Sequence, residues 1–141
     1  MNMDMVGGGA PKPVAVVVDD DFLVRMDVAT TLEDAGFDTL EACDGDKAIA
    51  LLADVYERVE LLFTDVQMPG SRDGLALARE VSRRWPDIGI VVASGTKRPG
   101  PDELPEGATF IGKPFSAETV HEHLCKVLPQ ERRPELLRNR P

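Results

Sequence analysis

The chain has 141 residues, enough for one domain with a core of its own and no metal or disulfide staples. Apolar residues make up 43% and charged residues 29%, too apolar for wholesale disorder, and a net charge of -9 sets the molecule as a whole against nucleic acid and anionic membrane surfaces. Cys43 and Cys125 lie far apart, without metal-type spacing or a preceding secretory signal, which points to a reducing cytoplasm, and no apolar run approaches the ~20 residues of a membrane-spanning helix.

Residues 1–13, "MNMDMVGGGAPKP", place a glycine triplet and two prolines before any periodic pattern and predict a mobile leader. "VAVVV" at 14–18 is a continuous apolar run, as in a strand buried on both faces. A helix follows over about 22–35, with Leu23, Met26 and Thr30 near one face and Gly36 as its stop. "FDTLEA" at 37–42 reads as a more exposed strand, and Asp44 as the cap of a helix carrying Ala48, Leu51, Leu52 and Val55. "ELLFTD" at 60–65 is the third strand, and 73–85 an amphipathic helix stopped by Pro86, with Trp85 as a packing anchor at its end. "IGIVVAS" at 88–94 and "ATFIG" at 108–112 are strands four and five, followed by a last helix over 116–128 capped by Ser116. Residues 129–141, with three prolines and four arginines, are too short for a second domain and predict a flexible, solvated tail. His121 and His123, two apart on a helix, are expected to face solvent rather than pair on a metal, and the cysteines to serve as small apolar fillers.

This alternation of strands and helices is the pattern of a parallel α/β sheet. Its conspicuous polar residues fall at the carboxyl ends of strands: Asp19 and Asp20 after the first, Asp65 closing the third, Ser94 closing the fourth, Lys113 just past the fifth. In a parallel sheet those ends share one edge, where open α/β sheets bind ligands. Carboxylates crowded there repel one another unless a cation joins them, which implies an oxygen-seeking ion, Mg²⁺ rather than Zn²⁺. Such an ion with one more carboxylate, a lysine and a hydroxyl makes a cradle for a phosphoryl group, with Asp65 as nucleophile and Lys113 and Ser94 holding the phosphoryl oxygens. Each residue alone has a plainer reading: the acids as a solvated turn capping the first helix, Ser94 as a strand-end hydroxyl, Lys113 as a surface lysine. Their joint arrangement favours the site.

The segments "VVVDDD" (16–21), "LLFTDVQMPGSRDG" (61–74), "VVASG" (91–95) and "GKPF" (112–115) resemble, in order, the receiver domains of two-component response regulators over about 14–128. The resemblance implies a flavodoxin-like doubly wound five-stranded parallel sheet of order 2-1-3-4-5. It implies Asp65 as phosphoacceptor and Mg²⁺ held by Asp19, Asp20, Asp65 and the Gln67 backbone carbonyl, with Asp20 the direct ligand and Asp19 often acting through water. Ser94 is then the switch hydroxyl, Lys113 the phosphoryl-binding lysine, Phe110 the aromatic switch position, and Lys113-Pro114 a cis peptide. Gln67 and Thr96, two residues past Asp65 and Ser94, tune loss of the phosphoryl group.

The implied activity is that of a phosphoacceptor signalling domain, not an enzyme in the ordinary sense, which assists its own phosphorylation and dephosphorylation. The expected partners are a histidine kinase or histidine phosphotransfer protein and a downstream protein, with output by contact or onward relay from a stand-alone, cytoplasmic chain, monomeric or weakly dimeric when phosphorylated. Two other classes compete. A phosphorylation-independent interaction module is one; a haloacid-dehalogenase-type phosphatase is the other, disfavoured because Gln67 stands where its second acid belongs. The clearest departure from the family is 95–107, "GTKRPGPDELPEG", whose three prolines and three glycines forbid a regular helix, so the fourth helix is expected to be short or missing and partner recognition altered.

Overall fold

In a computed structural model, residues 11–96, 98–100 and 102–138 are described; most of the expected leader lies outside them. Five parallel strands, β1 (Val14–Val18), β2 (Asp38–Ala42), β3 (Val59–Asp65), β4 (Gly89–Ser94) and β5 (Ala108–Gly112), form one sheet in the order β2-β1-β3-β4-β5. Helices α1 (Phe22–Ala35), α2 (Gly45–Val55), α3 (Gly74–Arg84) and α4 (Ala117–Val127) cover its two faces. The unbroken apolar runs of β1 and β4 are buried along their whole length, as a sheet covered on both faces demands.

The side-chain period of two divides the core. Val14, Val16, Val18, Leu62, Ile90 and Val92 point to the side of α2 and α3, meeting Leu52, Leu75 and Val81. Ala15, Val17, Leu61, Phe63 and Val91 point to the other, meeting Val28 and Leu32 of α1 and Val120 and Leu124 of α4. Each fully buried side chain of this size stabilises the fold by about 1.5–3 kcal/mol relative to exposure.

The helices start where capping residues fall. Asp21, Asp44, Asp73 and Ser116 each accept a backbone N–H from the first turn of α1, α2, α3 and α4. At the far end of α1, Gly36 adopts φ 114°, the left-handed cap that only glycine takes without strain.

Four expectations require correction. The buried face of α1 is Val28, Ala29, Leu32 and Ala35, while Leu23, Met26 and Thr30 face outward. Val24, Val28, Leu32 and Ala35 form the stripe that meets the sheet, which leaves Phe22 and Leu23 on the solvent side despite their apolarity. The segment after α4 is not a solvated tail up to Arg138: two short 3₁₀ turns, Gln130–Arg132 and Glu135–Leu137, carry it back as a strap against the core, with Leu137 only 3% exposed. His121 and His123 are half-buried rather than solvent-facing, the latter sharing a 3.1 Å hydrogen bond with the Thr109 hydroxyl. Cys43 is no apolar filler, since the Lys47 ammonium lies 3.2 Å from its sulfur.

The expected loss of a helix between β4 and β5 holds among the described residues, which form only bends and turns there. Two residues of α3 fasten this loop from the side: Arg79 Nη1 donates to the Glu103 carbonyl and the Ser82 hydroxyl to the Glu106 carbonyl. Leu104 packs against the core in place of a helix face.

Candidate phosphoryl and metal site

The strand register assembles the site. Val18 pairs with Thr64, so Asp19, one residue on, emerges beside Asp65; Ser94 pairs with Gly112, so Lys113 emerges beside Ser94. Carboxylate oxygens of Asp19, Asp20 and Asp65 all come within 4.8 Å of one another. The Lys113 ammonium reaches into them, donating to Asp65 Oδ1 at 2.8 Å and to Asp19 Oδ2 at 3.5 Å. Lys113-Pro114 is a cis peptide, and the Lys113 amide donates to the Ser94 carbonyl.

The acids are not equivalent. Asp19 is 5% exposed, Asp65 half-buried and Asp20 open to solvent. Burial raises the Asp19 carboxyl above its ordinary value despite the Asp21 amide and the Lys113 charge, which pull it down. Lys113 is raised too: burial works against its charge, but the hydrogen bond and charge of Asp65, then Asp19, outweigh it. Among the described residues one ammonium faces three carboxylates, which leaves excess negative charge, and the donor set consists of oxygens alone, so a hard divalent cation such as Mg²⁺ fits the cluster. Asp20 also borders an open depression of about 460 Å³ with Val66, Gln67, Met68, Pro69 and Asp73.

The sequence model of the response regulator receiver domain matches residues 15–125. The chain belongs to that family. The receiver is 36% identical over 129 residues to the nitrogen assimilation regulatory protein NtrX of Azorhizobium caulinodans, covering 89% of this chain and 27% of that one. It is 34% identical over 118 residues to the sensor kinase CckA of Brucella abortus, covering 79% and 12% respectively. The chain thus spans well under half the length of these curated relatives. Among solved structures, the receiver domain of NtrX from Brucella abortus superposes with a TM-score of 0.68 at 35% identity, covering 82% of this chain and 97% of that one. Receivers are signalling domains of two-component systems that carry an aspartate phosphoacceptor and an acidic Mg²⁺ site, and they work with histidine kinases and downstream effectors.

The remaining residues singled out in the sequence take the following places in this receiver. Ser94 is buried at the end of β4, its oxygen accepting the Thr96 amide at 3.3 Å. The Thr96 hydroxyl donates to Gln67 Oε1 at 3.2 Å, so the two positions expected to tune water access are joined across the mouth. Phe110 is half-buried on β5, with the Arg98 guanidinium 5.2 Å from its ring centre.

Two supporting residues escaped the sequence reading. A Cβ at Gly74 would collide with the Asp65 backbone carbonyl, and the Gly74 amide donates to the Val66 carbonyl at 2.7 Å, so this glycine lets α3 press directly on the turn that carries Asp65. Arg25 donates to the Asp19 carbonyl at 2.8 Å and pairs with Glu41 at 2.9 Å, fixing the first acidic turn from α1 and β2. Gly74 could have been noticed from its place at the start of a helix; Arg25 carries no local signal.

Proposed function

We propose that this receiver takes a phosphoryl group on Asp65 from a phosphohistidine of a histidine kinase or phosphotransfer protein in the cytoplasm, in a Mg²⁺-dependent step. The observation that supports it is the Asp65 carboxylate held 2.8 Å from the Lys113 ammonium beside the carboxylates of Asp19 and Asp20. In the transfer, an Asp65 oxygen forms a bond to phosphorus while the phosphorus–nitrogen bond of the phosphohistidine breaks. Its electron pair returns to the imidazole. Asp19, Asp20, Asp65 and the Gln67 carbonyl are the residues to hold Mg²⁺, which when bound supplies positive charge against the phosphoryl oxygens. Lys113, already at Asp65, is placed to exchange its carboxylate partner for a phosphoryl oxygen, and the Ser94 hydroxyl stands on the adjacent strand to take another.

Movement of Ser94 toward that oxygen frees space beside Phe110 and forms the switch, read by a downstream protein through contact or by onward transfer to another histidine. The Thr96–Gln67 bond narrows the approach of water and slows hydrolysis of the acyl phosphate. Because the loop 95–107 replaces a helix on the side of β5, its surface calls for a partner of different shape, and a contact module that works without phosphorylation is the second reading this loop favours. Intact mass measurement after incubation with Mg²⁺ and a small acyl phosphate separates the two. A single labile phosphoryl adduct absent from Asp65→Asn supports transfer; no adduct in either protein supports the contact module, and phosphate-ester turnover supports a phosphatase.

A further inference from the structure

We infer that the pole of the sheet opposite Asp65 is a docking surface for an acidic segment of a partner protein. Lys12 just before β1, Arg58 just before β3, and Arg132, Arg133 and Arg138 of the strap converge on one depression of about 390 Å³. Its carboxylates are two, Glu60 and Glu131, so five cations face two anions in a molecule whose net charge is -9. Arg132 is already engaged by Glu60 and by the Asp87 carboxylate at 3.5 Å and also donates to the Asp87 carbonyl, while Arg133 donates to the Cys125 and Leu128 carbonyls at the end of α4, so the open charge is that of Lys12, Arg58 and Arg138. Arg138 donates to the Arg133 carbonyl. Among the described residues no carboxylate lies within 4 Å of Lys12, Arg58 or Arg138, and all three are exposed.

The acidic rim does not cancel this charge. Arg58 and Asp65 are separated by the length of β3, about 23 Å at ~3.3 Å per residue, which is close to three Debye lengths at physiological salt. Each pole therefore presents its own field. A long polyanion such as duplex nucleic acid runs past this pole into a repelling surface, whereas a short acidic segment meets the cations alone. Seven charged residues and two prolines line the depression, whereas the clefts that enclose small organic ligands are lined mainly by aliphatic and aromatic side chains. Leu136, on the strap between Arg133 and Arg138, is 71% exposed and gives a peptide an apolar contact that a small inorganic anion has no use for. Arginine forks suit the paired oxygens of glutamate and aspartate side chains.

The test is fluorescence anisotropy of a labelled oligoglutamate peptide with the full chain at low and physiological salt, with tripolyphosphate as a separate probe. The paired reversal Lys12→Glu and Arg58→Glu touches two exposed side chains for which no salt bridge is found among the described residues. The control pair Arg83→Glu and Lys126→Glu changes net charge equally elsewhere on exposed positions. Both proteins are first checked for an unchanged thermal unfolding profile. The expected result is salt-sensitive binding to the wild type, weakened roughly tenfold by the first pair and less than about twofold by the control. Equal weakening by both pairs, no binding at low salt, or binding of tripolyphosphate without binding of the peptide overturns the inference.

Discussion

The two rims of this sheet handle charge in opposite ways. At the carboxyl rim, Asp19, Asp20 and Asp65 crowd together around the Lys113 ammonium, and burial raises the Asp19 carboxyl against its charge. At the amino rim, Glu60 meets Arg132, Arg133 donates to the carbonyls at the end of α4, and the strap is laid over the core. The carboxyl rim is destabilised in isolation and gains from an added cation; the amino rim stabilises the domain as it stands. Crowded like charge therefore marks where chemistry is expected, and the strap's hydrogen bonds and buried Leu137 mark where the fold is fastened, while Lys12, Arg58 and Arg138 beside them stay open.

The strongest way to break the contrast is to remove the Lys113 cation of the acidic rim. Lys113→Ala is expected to slow labelling of Asp65 by a small acyl phosphate roughly 100-fold, the loss of a charged hydrogen bond of about 1.5–3 kcal/mol, followed as adduct growth by intact mass. A change of similar size with an amino-rim origin comes from ending the chain at residue 128. That removes the Leu137 side chain from the core and the Arg133 bonds from α4, and urea unfolding should register a loss of about 2–4 kcal/mol.

These two predictions also divide what could be read in the sequence from what could not. Asp65, Lys113, Ser94 and the acidic pair were legible because each stands at the end of an apolar run, and a parallel sheet turns strand ends into a common rim. The absent helix between β4 and β5 was legible because the prolines and glycines of 95–107 act locally on the backbone, whereas the strand order followed only from the resemblance to receiver domains. The strap was not. Pro129 and Pro134 signal a break in helix, and nothing local says that Leu137 finds space beside Phe37 and Leu128 or that Pro134 lies against Gly36. The buried face of α1 was missed because the helix carries two apolar stripes, and the one that packs on the sheet is Val24, Val28, Leu32 and Ala35 rather than Leu23 and Met26.

The contrast is sharpened by Asp19→Asn. With chelator present and no divalent ion, this variant should melt at a higher temperature than the wild type, because a buried charge that repels Asp65 is gone; the melting shift that Mg²⁺ gives the wild type should shrink or vanish. A lower melting temperature without metal would mean that the Asp19 contact with Lys113 outweighs burial and repulsion.

The smallest effect belongs to Glu60 at the amino rim. Burial raises its carboxyl above the ordinary value, more than Arg132 lowers it, so the folded state binds this proton more tightly than the unfolded state does. Its contribution is fully present below the ordinary pKa of 4.5 and is lost as pH rises through the raised value. Glu60→Gln should therefore flatten the fall in stability just above pH 4.5, seen as a smaller drop in the urea midpoint across that window than in the wild type.

The central claim is tested most directly by borohydride reduction of the phosphorylated protein, which converts an aspartyl phosphate to homoserine, followed by peptide mass mapping. The account predicts homoserine at position 65 alone, formed only when Mg²⁺ was present during phosphorylation. Homoserine at another aspartate, or at position 65 to the same extent in chelator, would contradict it.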